Sequence, residues 1–145
     1  MNPIHILLVE DNEGDILLTT EAFEDAKIIN KISIARDGEE AIQFLENRGK
    51  YDQATNPDLI LLDVNLPKKN GHEVLQYVKN SDHLKHIPVI MLTTSIAEND
   101  IRKSYRNYAN CYITKPVEVE DFLNVIANIE SFWINIVQLP GNIKK

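Results

Sequence analysis

Three observations on the 145-residue chain predict an α/β fold, a doubly wound five-stranded parallel sheet in the order 2-1-3-4-5. Short apolar runs of strand length alternate with segments of helical spacing, strand then helix, five times. Such alternation builds a parallel sheet with right-handed crossovers and helices on both faces. Three of the runs are nearly continuous in apolar residues and two are mixed, which places the former in the centre and the latter at the edges. A hydrophobic fraction of 43% with 26% charged residues is that of one ordinary globular domain.

The elements follow in order. Ile4 to Val9 is the first central strand. Gly14 to Ala26 puts Leu18, Ala22 and Phe23 on one helical face. Lys31 to Ala35 alternates, with Ile32 and Ile34 apolar, as a half-covered edge strand does. Gly38 to Asn47 carries Ala41, Ile42 and Leu45 at helical spacing. Arg48 to Pro57 is a polar connection, longer than the roughly 2–6 residues usual between helix and strand. Asp58 to Val64, containing Leu59-Ile60-Leu61-Leu62, is the second central strand, and Gly71 to Asn80 the helix after it, with Val74, Leu75 and Val78. Pro88 to Leu92 is the third central strand. The next helix, Ala97 to Tyr108, is the least apolar, with Ile101, Tyr105 and Tyr108. Cys111-Tyr112-Ile113 is a very short edge strand. Glu118 to about Gln138 is a long last helix carrying Val119, Phe122, Leu123, Ile126, Ile129 and Trp133. Pro140 and Gly141 stop it, so residues 1–139 are expected to form the domain and 140–145, ending in Lys144-Lys145, a frayed tail.

Fifteen Lys+Arg against 22 Asp+Glu give a formal charge of −7. That balance argues against general binding to nucleic acid or anionic membranes, which needs surplus positive charge. A single cysteine, Cys111, excludes an internal disulfide and a cysteine-rich zinc site, and is expected to act as a small buried hydrophobe. Met1-Asn2-Pro3-Ile4-His5 lacks the basic segment and apolar run of a signal peptide, and no run approaches the roughly 18 apolar residues of a membrane span. A cytoplasmic location is expected.

In a sheet of this order the ligand crevice opens beyond the carboxyl ends of the strands, where strands 1 and 3 part. Strand 1 ends in Glu10-Asp11, strand 3 in Asp63, strand 4 in Thr93-Thr94, and strand 5 is followed by Lys115-Pro116. Two unit charges about 5 Å apart repel by roughly 3 kcal/mol at an effective dielectric of about 20. Three carboxylates in one crevice therefore call for a hard divalent cation, and an oxygen-only ligand set favours Mg²⁺. The ammonium and the hydroxyl suit a phosphoryl group, one by charge and the other by hydrogen bonding. Asp63, at the end of a rigid central strand, is the candidate nucleophile, with Glu10 and Asp11 placed to hold metal.

Val9-Glu10-Asp11-Asn12, Leu61-Leu62-Asp63-Val64-Asn65-Leu66-Pro67, Asn70-Gly71, Met91-Leu92-Thr93 and Tyr112-Ile113-Thr114-Lys115-Pro116 together resemble the receiver domain of two-component response regulators, a flavodoxin-like fold. The resemblance covers residues 4 to about 130. It implies that Asp63 accepts a phosphoryl group from a histidine kinase or phosphotransfer protein, with Thr93 and Lys115 as its helpers. It implies that Glu10, Asp11, Asp63 and the backbone carbonyl of Asn65 hold Mg²⁺, and that the Lys115–Pro116 bond is cis. Thr93 and Tyr112 are implied as the switch pair, Tyr112 turning inward to reshape the face of helix 4, strand 5 and helix 5. The long 48–57 connection, the segment from Asn65 to Gly71 and the extended last helix with Phe132-Trp133 are similar to single-domain regulators partnered with bacterial phytochrome-type histidine kinases. Those regulators dimerise through the helix 4–strand 5–helix 5 side, and the C-terminal helix is expected to take part. Thr94 is bulkier than the Ala, Gly or Ser common after the switch threonine. With nearly the whole chain used, output is expected to pass through a protein surface and not through a second domain.

Other functions fit less well. A phosphohydrolase with an aspartyl nucleophile needs a second acid two residues on, where this chain has Asn65. A flavin or nucleotide carrier needs a phosphate-cradling loop after strand 1, where Glu10-Asp11-Asn12-Glu13 would repel phosphate. A phosphorylation-independent binding module has no use for the full acidic set with Lys115. The expected protein is thus a signalling module and not an enzyme. His83 and His86 fall in a loop and are not expected to bind metal, and His5 and His72 show no partner in the sequence.

Overall fold

The computed structural model describes residues 4–25, 30–134 and 137–140. Five parallel strands, β1 (Ile4–Val9), β2 (Asn30–Ala35), β3 (Leu59–Leu62), β4 (Val89–Thr93) and β5 (Cys111–Thr114), lie in the order β2-β1-β3-β4-β5. The helices between and after them are α1 (Glu13–Glu24), α2 (Gly38–Leu45), α3 (Gly71–Lys79), α4 (Glu98–Arg106) and α5 (Val119–Ile129). The predicted fold class and strand order are those observed. The polar 48–57 connection holds one short 3₁₀ turn, Gly49–Tyr51, and the Tyr51 hydroxyl donates to Glu40 at 2.6 Å.

β1, β3 and β4 are buried along their whole length, which explains their unbroken apolar runs. Alternate residues supply the two faces of the sheet. Leu7, Val9, Ile60, Leu62, Val89 and Met91 pack with α2 and α3, while Ile6, Leu8, Leu59, Leu61, Ile90 and Leu92 pack with α1 and α5. Cys111, on edge strand β5, is half-buried against the second of these clusters.

Strand register positions the site. Val9 lies opposite Leu62, and the Asp63 N–H donates to the Val9 carbonyl at 3.1 Å, so Glu10 and Asp63 leave the sheet side by side. Thr93 lies opposite Thr114, and the Lys115 N–H donates to the Thr93 carbonyl at 2.7 Å.

Three expectations are corrected. The last α-helix ends at Ile129, and the chain continues in a wider π turn, Glu130–Ile134, with the Val137 N–H reaching the Phe132 carbonyl at 2.9 Å. The wider turn buries Ile134 while Phe132 stays half-exposed, edge-on to Trp133. Residues 135–136 and the tail beyond Pro140 lie outside the described residues, as does Ala26 in the first helix. The Lys115–Pro116 bond is trans, the ordinary peptide geometry, and the direction of Lys115 is set instead by its ion pairs. His5 and His72 do have partners. His5 Nε2 pairs with Ser33 Oγ at 2.8 Å and its Nδ1 with Thr55 at 3.2 Å, while His72 Nε2 meets Asp100 at 3.0 Å. These partners come from distant elements, and the fold alone brings them together. Among the described residues no helix is long and apolar enough to cross a membrane.

Candidate functional site

The crevice at the carboxyl ends of β1 and β3 gathers the predicted acids. Carboxylate oxygens of Glu10, Asp11 and Asp63 all lie within 4.8 Å of one another. Glu10 and Asp63 are buried, at 3% and 7% exposure, while Asp11 stands at the open rim. Glu10 accepts the Asp11 N–H at 3.0 Å, which folds its carboxylate back over the end of β1. Asp63 Oδ1 accepts the Asn65 N–H at 3.1 Å, so one carboxylate oxygen is fixed by the loop that follows it.

Lys115, 6% exposed, reaches this cluster from the end of β5. Its ammonium is bonded to Glu10, to Asp63 Oδ2 at 3.0 Å and to Asp15 Oδ2 at 3.0 Å. Thr93, fully buried at the end of β4, has its Oγ1 bonded by the Ser95 N–H at 3.3 Å. Tyr112 sits further out, half-buried, its hydroxyl donating to the Ser95 carbonyl at 2.9 Å. The geometry therefore assembles Glu10, Asp11, Asp63, Asn65, Thr93 and Lys115 in one place. Tyr112 is bonded to the loop beside them, at the Ser95 carbonyl.

The electrostatics separate the two buried carboxyls. Burial pushes Glu10 up to about 7, against the pull of Lys115. Burial acts upward on Asp63 as well, but the Thr93 hydroxyl, the Lys115 ammonium and Glu10 together outweigh it, and Asp63 falls below its usual value. Asp63 is thus the more readily ionised member of the pair, as an oxygen nucleophile must be. Lys115 loses to burial but gains more from Glu10, Asp63 and Asp15, so it stays charged.

The donor set fits a hard divalent cation. It consists of carboxylate oxygens, and one ammonium stands against the four acids Glu10, Asp11, Asp15 and Asp63. Glu10, Asp11 and Asp63 are the side chains that would hold it, with the Asn65 backbone at the same rim.

Two parts of this arrangement escaped sequence reasoning. Asp15, in the first turn of α1, is a third carboxylate on Lys115, placed by the Asn12 side chain that caps the helix through the Asp15 N–H at 2.9 Å. The cap residue followed by an acidic first turn was the available signal. The second is the contact of Ser95, Asp100 and His72, for which the sequence holds no local signal.

Comparison with known proteins gives a consistent picture. The response regulator receiver domain model matches residues 6–127. Response regulator Rcp1 of Synechocystis sp. is 46% identical over 139 residues, covering 96% of this chain and 95% of that protein. The crystal structure of the Mn(2+)-bound form of Rcp1 superimposes with a TM-score of 0.93 at 46% identity, over 95% of this chain and 99% of that one. The phosphorylated cyanobacterial phytochrome response regulator RcpA matches with a TM-score of 0.94 at 45% identity, over 96% and 99% of the two chains. The bacteriophytochrome response regulator AtBRR matches with a TM-score of 0.73 at 44% identity, over 97% and 99%.

Proposed function

The chain belongs to the response regulator receiver family and is a two-component response regulator, and from that premise we propose that Asp63 is its phosphoryl acceptor. One observation carries the assignment: Asp63 is the buried carboxylate that meets Lys115 at 3.0 Å beside the oxygens of Glu10 and Asp11. An Asp63 oxygen attacks the phosphorus of a phosphohistidine on a histidine kinase. The O–P bond forms, the P–N bond breaks, and the imidazole nitrogen keeps the electron pair and then takes a proton. The Lys115 ammonium offsets charge on the incoming phosphoryl oxygens, and the Thr93 hydroxyl supplies a hydrogen bond to one of them. The Asn65 N–H keeps the other Asp63 oxygen in place.

The cation read for this site is Mg²⁺, held by Glu10, Asp11, Asp63 and the Asn65 carbonyl, where it would neutralise carboxylate and phosphoryl charge. The Mn(2+)-bound form of the relative Rcp1 supports a divalent cation here. The phytochrome-associated relatives support a phytochrome-type histidine kinase as the donor. Catalysis by the chain is confined to its own phosphoryl transfer and dephosphorylation. Thr93 and Tyr112 carry the state of Asp63 to the face of α4, β5 and α5. There the exposed Tyr105, Tyr108, Val119 and Leu123, with Phe132 beyond, offer apolar area for a second copy of the chain.

Incubation with acetyl phosphate and Mg²⁺, followed by intact-mass spectrometry, tests the assignment. One phosphoryl group is expected on the wild type, none on Asp63→Asn, and none on the wild type in excess chelator. A phosphoryl group on Asp63→Asn at the wild-type level overturns it.

A further inference from the structure

Thr93 and Tyr112 are both bonded to Ser95. The Ser95 N–H donates to Thr93 Oγ1 at 3.3 Å, and the Ser95 carbonyl accepts the Tyr112 hydroxyl at 2.9 Å. The Ser95 side chain points the other way. Its hydroxyl donates to Asp100 Oδ2 at 2.6 Å, and Asp100 Oδ1 is met by His72 Nε2 at 3.0 Å. One carboxylate on the first turn of α4 thus ties the β4–α4 loop to the first turn of α3.

The hydrogens in this chain have fixed directions. The Ser95 hydroxyl, and after it His72, hold the Asp100 carboxyl below its usual value, so it is a carboxylate and can only accept. Both hydrogens therefore come from its neighbours, one from Ser95 Oγ and one from His72 Nε2. His72 is 4% exposed, and among the described residues its other ring nitrogen, Nδ1, is buried without a hydrogen-bond partner. An imidazole with one unsatisfied buried nitrogen is a poor filler for a packed helix face, where an apolar side chain of similar size carries no such cost. The bond to Asp100 accounts for its presence there. The tie also falls where α4 needs it, because among the described residues α4 buries only Ser104 and its N-cap, Ala97, makes no capping bond.

We propose that His72, Asp100 and Ser95 form a positioning relay that holds the Ser95 carbonyl as the seat of the Tyr112 hydroxyl, and so sets how strongly phosphorylation is felt on the α4–β5–α5 side. The proposal rests on Asp63 being the phosphoryl acceptor. The relay residues touch neither the phosphoryl group nor its helpers through their side chains. Their loss is therefore expected to leave phosphoryl acceptance intact and to loosen its transmission.

The test follows backbone amide NMR shifts on adding beryllofluoride with Mg²⁺ to the full chain. In the wild type, shifts are expected both beside Asp63 and at Tyr105 and Tyr112. Asp100→Asn, Ser95→Ala and His72→Leu should keep the shifts beside Asp63 and reduce those at Tyr112 at least twofold. His72→Gln, which can present an N–H at a similar reach, should restore most of the Tyr112 shift, a rescue that a purely structural role does not predict. Ser95→Ala alters a partly exposed loop and keeps the backbone N–H, so it reads the relay even if a His72 variant does not fold. Wild-type shifts at Tyr112 in both Asp100→Asn and Ser95→Ala overturn the relay alone. No shift beside Asp63 in the wild type overturns the acceptor assignment and the relay with it.

Discussion

Helices α3 and α4 are both nine residues long and stand side by side, but they are held by different means. α3 buries Gly71, His72, Val74, Leu75 and Val78 and starts with a complete capping box between Asn70 and Glu73. Its first residue is pressed onto the site. The Gly71 N–H donates to the Val64 carbonyl at 2.8 Å, and a Cβ added at Gly71 would lie 2.0 Å from the carbonyl oxygen of Asp63. α4 starts at Ala97 with no capping side chain and ends in a reversal through Tyr108, a bulky residue at φ 68° where glycine is the usual choice. Its N-terminal turn depends on the polar ties of Asp100. One helix is thus a fixed wall behind Asp63, and the other is a lightly anchored element beside Thr93. A change worth a few kcal/mol at the site can shift the population of the second without disturbing the first.

The largest expected effect tests this contrast through packing. Leu75→Ala should cost about 2–5 kcal/mol of unfolding free energy, because Leu75 is fully buried between α3 and the sheet. Ile101→Ala, at a half-buried position on α4, should cost about 1 kcal/mol or less. Urea unfolding of the two variants measures both. Equal losses would mean that α4 is anchored in the core as firmly as α3, and the contrast would fall.

What the sequence reveals follows the same division. The strands, their order and the acids at their ends are legible because a doubly buried parallel strand must be a continuous apolar run, and a polar residue just past it must emerge at the crevice. Glu10 and Asp63 are found in that way, and Lys115 by its place just past the short edge strand β5. Asp15 is missed because its role depends on how α1 is rotated against the sheet, which the weakly amphipathic spacing of that helix does not fix. Ser95, Asp100 and His72 are missed because they come from a loop and two helices and share no spacing. The long last helix is overdrawn because the apolar residues after Ile129 keep a helical rhythm that the chain satisfies with a wider turn. The trans bond before Pro116 is a case where a family pattern outran what the residues themselves dictate.

A smaller effect is expected at the start of α3. The Asn70 side chain accepts the Glu73 N–H at 3.0 Å, and the Glu73 side chain returns a bond from the Asn70 N–H at 3.3 Å. Asn70→Ala removes the first of these and should cost about 1 kcal/mol in urea unfolding. Because Gly71 rests on the backbone of Asp63, the same change should also slow phosphorylation by acetyl phosphate, by a few-fold. Loss of stability with an unchanged rate would separate the wall from the site it supports.

The smallest effect probes α4 from the opposite direction, by adding what it lacks. Ala97 already has the extended backbone of an N-cap, φ −64° and ψ 125°, and is exposed, so a serine there can offer its hydroxyl to the first turn, which no side chain caps. Ala97→Ser should stabilise that turn by about 0.5–1 kcal/mol. If α4 opens on its own, the gain is local. Amide hydrogen exchange should then slow by roughly two- to fivefold within α4 and stay unchanged in α3, since about 1.4 kcal/mol is a factor of ten. If α4 exchanges only when the whole domain unfolds, its amides and those of α3 should slow together. In that case α4 would not be a separately movable element, and transmission to its face would have to run through side chains alone.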